Sequence, residues 1–269
     1  MRSAFRWNIC FIGKGDIQMR YQVKVVLLVT ALVCALSFGL CRHAYAGEMK
    51  HAHGDSTAME LSHMDAMMSN GLWMVTAGFN MVMLAEMKMV PSVDPATSEH
   101  GRQMIRSGRE VIEHFMSGSQ MKELHKSGHS KDPLMAYSHE LGEALMKVTI
   151  MMEKMSAAGL TESGMMPQRH IQLIISHALG MAAQGYSMAA LGQMSMSRPV
   201  DRFSIGEGQM MMTEALWLLE KNLEGAAVKG EHKKGVKMDA AMMAETNKFH
   251  EAAKRVIDLL EKTPFAAAK

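Results

Sequence analysis

The sequence predicts an all-α protein: a six-helix bundle built from two tandem three-helix units related by an approximate internal twofold. Three observations carry this expectation. The residues between Arg169 and Arg198 include no Asp, Glu, Lys, Arg or Pro, the pattern of a helix buried on nearly every side. Shifted back by 107 positions, this stretch places His170 on His63, Met181 on Met74, Gly185 on Gly78, Met188 on Met81, Leu191 on Leu84 and Met196 on Met89. The same shift sets Gly208 on Gly101, Met211 on Met104 and Met242 on Met135. After one inserted residue it sets Glu251-Ala252 on Glu143-Ala144 and Glu261-Lys262 on Glu153-Lys154. Residues 59–158 and 166–264 are therefore two copies of one unit, the signature of a stacked repeat.

Taken in order, residues 1–46 read as a signal peptide. An apolar run over 25–40 follows Arg20 and Lys24 and precedes Ala44-Tyr45-Ala46, a small-x-small cleavage pattern. Met19 is an alternative start that gives a leader of more usual length, and an uncleaved anchor is the competing reading. Leu40 stands before Cys41, where a lipoprotein needs a small residue. Residues 47–56 are a tail carrying Met49, His51 and His53.

The first unit spans 57–159. Its first helix covers 57–90 and stops at Pro91, and its second starts at Asp94-Pro95 and runs to Gly118. A polar connection over 119–131 carries His125 and His129 and has room for one helical turn. The third helix starts at Asp132-Pro133 and ends at Gly159. Asp as cap with Pro in the first turn opens a helix, and Gly closes one. The second unit, 160–264, repeats this order with helices over 167–197, 201–225 and 239–263, a basic loop over 229–237 with His232, and a tail over 265–269. The two apolar helices are expected to face each other, with the charged ones as amphipathic covers. A membrane-spanning reading of 167–197 has the length. It would leave three Gln, two His and several Ser to be satisfied in lipid, which disfavours it.

Composition narrows the function. Residues 1–46 hold six of the 29 Lys and Arg and one of the 27 Asp and Glu, leaving 23 against 26. The net positive charge thus belongs to the leader, and no nucleic-acid partner is expected. All three cysteines, Cys10, Cys34 and Cys41, also lie there. The remaining chain has no disulfide and relies on its core.

The outlying residue is methionine, 32 in the chain and 30 of them after residue 46. Exchange of Met with Leu or Ile in a core costs less than about 1.5 kcal/mol, so a packing Met should meet Leu or Ile at its repeat partner. Met64, Met67 and Met68 meet Ile171, Ile174 and Ile175; Met116 meets Leu223; Met151 and Met152 meet Leu259 and Leu260. Met59, Met74, Met81, Met87, Met89, Met104 and Met135 meet Met instead, and His63 meets His170. At 100° per residue, His63, Met74 and Met81 share a helical stripe with Gly71 and Gly78, and the second unit repeats it with His170, His177, Met181, Gly185, Met188 and Gly192. Small residues permit close approach, so these stripes are expected to meet across the two apolar helices.

Thioethers are soft neutral ligands that favour Cu(I), and imidazole suits copper as well. His63 with Met67, His100 with Met104 and His177 with Met181 have the i, i+4 spacing that puts both donors on one face. Cys-x-x-Cys-His, His-Glu-x-x-His and Gly-rich phosphate loops are missing from the sequence. The expectation is an exported, periplasmic, non-enzymatic protein that binds Cu(I) for storage, sequestration or delivery in the cell envelope. The expected ligands are His63, Met74, Met81, His170, His177, Met181 and Met188. Its partners would be copper ions and another envelope copper-handling protein, with no membrane contact beyond the leader. The competing readings are a structural or interaction bundle whose methionines serve as packing or oxidant sink, and non-covalent haem held by one Met and one His.

Overall fold

The computed structural model describes residues 56–87, 94–126, 133–157, 166–194, 198–224 and 240–263. The expectations for the leader, the Met49, His51 and His53 tail, Met89, Met196, His129, the 229–237 loop and the 265–269 tail lie outside the described residues. Among the described residues every element is helical: α1 (Ser56–Glu86), α2 (Asp94–Ser117), α3 (Ser119–Lys126), α4 (Pro133–Ala157), α5 (Met166–Gln193), α6 (Arg198–Glu224) and α7 (Ala240–Lys262). Six are long, as the sequence predicts. The seventh, α3, occupies most of the stretch read from sequence as a polar connection. Met121 and Leu124 explain it, since both are buried three residues apart on one helical face. Gly118 breaks the chain between α2 and α3. A Cβ there would lie 2.3 Å from the His114 carbonyl oxygen, so only glycine closes α2 at this point.

α1 packs on α2, α4 and α5, and α5 packs on α1, α6 and α7; α2 also meets α4, α6 meets α7, and α4 meets α7. The two apolar helices are central, with the amphipathic ones outside. Their shared core includes Leu72 and Phe79 of α1, Leu145 of α4, Leu179 of α5, and Phe249 and Leu260 of α7, all fully buried. Phe79 and Phe249 meet with ring centroids 6.0 Å apart. No described helix is long and apolar enough to cross a membrane. On α5 the exposed positions are His170, His177, Gln184 and Leu191, one line of seven-residue spacing. The charge-free stretch is thus buried on every side but one.

The α1–α5 contact differs from the sequence expectation. It is made by short hydroxyl side chains: Ser69 donates to the Ala183 carbonyl at 3.0 Å, Ser176 to the Thr76 carbonyl at 3.3 Å, and Ser187 to Asn70 Oδ1 at 3.0 Å. Gly71 and Gly78 point elsewhere, toward α2. Both faces of α1 carry small residues, and helical spacing alone does not say which neighbour each one admits.

Candidate metal centre

The glycines build a backbone-to-backbone seam between α1 and α2. A Cβ on Gly78 would lie 2.4 Å from the Gly101 carbonyl oxygen and 2.9 Å from Met104 Cβ. One on Gly101 would lie 2.5 Å from the Gly78 carbonyl oxygen and 3.1 Å from Met81 Cβ. One turn pair further, Gly71 abuts Gly108 in the same way, and Met74 Cβ would lie 3.0 Å from a Cβ on Gly108. The second unit has Gly185 against Gly208, with Ala178 and Ala215 standing where the first has Gly71 and Gly108.

This seam sorts the side chains beside it. Residues four positions after each seam glycine, Val75, Val82, Ile105 and Ile112, turn inward and are at most 1% exposed. Residues three positions after, Met74, Met81, Met104 and Val111, turn to the outer edge and are half-buried. In the second unit Ala182, Ala189, Met212 and Leu219 face inward, and Met181, Met188, Met211 and Leu218 lie at the outer edge. Each seam thus carries three thioethers on one edge, two from the central helix and one from its cover. Met104 Cβ stands opposite Gly78, between the levels of Met74 and Met81 on α1, a knob over the gap that glycine leaves. The edge borders the exposed line of each central helix, and all six methionines are half-buried there, Met181 against the core.

Of the sequence-predicted ligands, Met74 and Met81 fall in the first row and Met181 and Met188 in the second. His177 lies one turn before Met181 and is exposed. His63 and His170 are exposed and stand eleven residues before Met74 and Met181, roughly 16 Å along the axis. That is too far to share an ion with them. His170 and His177 instead edge a groove of 360 Å³ between α1, α5 and α6, lined also by Asn80, Leu84, Leu173, Ile174 and Leu218. The expectation that these stripes face one another across α1 and α5 is corrected: each row lies on its own seam, because the glycines admit α2 and α6 rather than the other central helix.

Sequence reasoning left Met104 and Met211 out of the ligand set. The signal was present. The two form one Met-for-Met pair under the 107 shift, and Gly101 and Gly108 repeat the seven-residue spacing of Gly71 and Gly78. His100, exposed and one turn before Met104, places an imidazole beside the first row as His177 does beside the second. Among the described residues no three His, Cys, Asp or Glu side chains assemble into a metal-binding group. Thioethers are outside that donor class.

Two largely buried carboxyl groups and a buried guanidinium lie outside both rows. Asp65 is 4% exposed and accepts a hydrogen bond from Ser138 Oγ at 3.0 Å. Burial pushes its carboxyl up to about 7 despite that bond. Arg169, 1% exposed, reaches Glu86 at 3.8 Å and donates to Gln172 Oε1 and the Met155 carbonyl. Burial raises the Glu86 carboxyl above its ordinary range, and Arg169 and Arg102 oppose the rise. These groups offer no soft donor. No known protein family, characterised protein or solved structure matches this chain.

Proposed function

We propose that the protein binds Cu(I) through two equivalent thioether rows, Met74, Met81 and Met104 in one unit and Met181, Met188 and Met211 in the other. The two units are related by an approximate twofold along the α1–α5 contact. Three thioethers make a soft, uncharged donor set suited to Cu(I), while hard cations prefer oxygen ligands and structural zinc prefers thiolates and imidazoles. One observation carries the reading: outer-edge methionines are Met in both copies, whereas inner-edge positions exchange Val75 for Ala182, Val82 for Ala189 and Ile105 for Met212. Packing tolerates such exchange, and a thioether ligand does not. Export, with removal of residues 1–46, belongs to the same reading, supported by the apolar run and the Ala-Tyr-Ala pattern. Storage, sequestration or delivery of copper in the envelope, without catalysis, is the role that follows.

The competing reading is a structural bundle with methionine as core filler, and it is favoured for Met64, Met68, Met83, Met121, Met135, Met152 and Met155, each at most 2% exposed. Met adapts to irregular gaps. The experiment that separates the two replaces all six row methionines by Leu, which keeps volume and apolarity and removes the soft donor. Each exchange should cost less than about 1.5 kcal/mol. Anaerobic titration of Cu(I) against a competing chelator, with circular dichroism in parallel, should show a folded variant that has lost tight copper uptake. Unchanged uptake by the folded six-Leu protein would assign the rows to packing.

A further inference from the structure

Outside the rows, one pair of metal-ligating side chains already stands in contact. His125 at the end of α3 and His139 on α4 bring their Nε2 atoms to 2.9 Å. Their ring centroids are 5.0 Å apart with an interplanar angle of 32°. The centroid separation exceeds the nitrogen separation by 2.1 Å, close to the combined centre-to-atom distance of two imidazoles. The two nitrogens therefore face each other nearly head-on. One ring must be the donor and the other the acceptor, so a single proton bridges two lone-pair directions. The backbone beneath is fixed: Met121 and Leu124 of α3 and Met135 of α4 are buried within one turn of the pair. His125 is exposed and His139 half-buried, which leaves the bridge open to solvent.

We propose that His125 and His139 form a separate metal site that takes one Cu(I) between the opposed Nε2 atoms. Two metal–nitrogen bonds of about 2.0 Å set opposed nitrogens about 4 Å apart. The rings need to open by roughly 1 Å, which surface side chains achieve through small χ changes. The bridging proton leaves the donor Nε2 and the same ring is reprotonated at Nδ1 through solvent, so both imidazoles stay neutral and the ion keeps its charge. Opposed nitrogens impose linear coordination. A closed-shell monovalent ion accepts two ligands in line, whereas Zn(II) seeks four, and among the described residues no third His, Cys, Asp or Glu joins the pair. The site shares no residue with the thioether rows, so it stands or falls without them.

The test uses the full chain, the six-Leu row variant and His125→Ala/His139→Gln in both backgrounds, with Cu(I) supplied anaerobically and Ag(I) as a redox-silent substitute. The six-Leu variant should retain one ion per chain, with an X-ray absorption spectrum of two nitrogens and no sulfur. Adding the two histidine substitutions should remove that ion while circular dichroism is unchanged. In the parent, the same two substitutions should lower capacity by one ion and leave the sulfur signal intact. Equal capacity with and without the histidines, or a six-Leu protein that binds no ion, would overturn the site. Loss of sulfur-bound copper in the six-Leu variant concerns the rows alone.

Discussion

Ser69 donates a hydrogen bond to the Ala183 carbonyl at 3.0 Å, and Ser176, 107 positions after Ser69, donates to the carbonyl of Thr76, 107 positions before Ala183, at 3.3 Å. The two bonds exchange under the repeat shift. Elsewhere the same shift relates Ser138 Oγ on Asp65 to Gln172 on Thr246 Oγ1, once the inserted residue is counted. A bond from a buried hydroxyl to a helical carbonyl contributes about 1 kcal/mol net, and removing the hydroxyl leaves the carbonyl with its helix partner. Ser69→Ala and Ser176→Ala are therefore expected to lower stability by similar amounts, about 1 kcal/mol each, in urea denaturation. Several kcal/mol for one and nothing for the other would contradict equivalent units.

The seam makes a sharper mechanical demand. Gly78→Ala places a methyl 2.4 Å from a backbone oxygen of α2, where no side chain can swing away. Alanine gains about 1 kcal/mol of helix propensity over glycine, but parting two packed helices costs about 1 to 3 kcal/mol or more. The variant should melt lower. Gly206→Ala is the control, since a Cβ there meets nothing within 4 Å, and this variant should gain up to about 1 kcal/mol. Equal melting shifts of one sign in the two variants would show that the seam is not close-packed.

The six long helices and their order were legible in the sequence because helical periodicity and caps are local signals. The helix neighbours were not. Gly71, Gly78, Ser69 and Thr76 are all small, and two faces of one helix built of small residues read alike until the partner is placed. Gly71 and Gly108 illustrate what was recoverable: both become alanine in the second copy, as Ala178 and Ala215, a joint change expected of residues that touch. The short helix α3, longer than the single turn the sequence allowed there, had only two buried anchors, Met121 and Leu124, too few for a periodic signal. His139 gave no sequence signal at all, since its partner His125 lies on a different helix.

Asp65 should set a pH dependence. The folded protein holds its proton up to about pH 7, while an unfolded aspartate releases it near 3.8. Over that interval the native state binds more protons, so stability falls as pH rises from about 4 to about 7 and is level above. The displacement corresponds to roughly 4 kcal/mol at most, and Glu86, also raised by burial, adds with the same sign. Asp65→Asn keeps the acceptor for Ser138 and never ionises. The second copy already carries an amide there, Gln172, bonded to Thr246 at 2.9 Å. The variant is expected to melt higher than the parent at pH 8 and nearly level with it at pH 4. Parallel melting curves across this range would assign the ionised carboxylate no penalty.

Copper uptake should separate methionines that spacing alone confuses. Met68 and Met81 lie on the same helix, but Met68 is 0% exposed in the core and meets Ile175 in the second copy, whereas Met81 lies half-buried on the outer edge and meets Met188. Met68→Leu is expected to keep full Cu(I) capacity with a stability loss below about 1.5 kcal/mol. Met81→Leu with Met104→Leu removes two of three thioethers from the first row while leaving Met181, Met188 and Met211 untouched. Capacity should then fall by one sulfur-bound ion per chain, with the second row's affinity unchanged, because each row lies on its own glycine seam. The measurement is anaerobic competition titration, with sulfur coordination followed by X-ray absorption. A fall in both rows together would mean that the thioethers form one shared centre, and loss of copper in Met68→Leu would place the ligands in the core instead of on the seam.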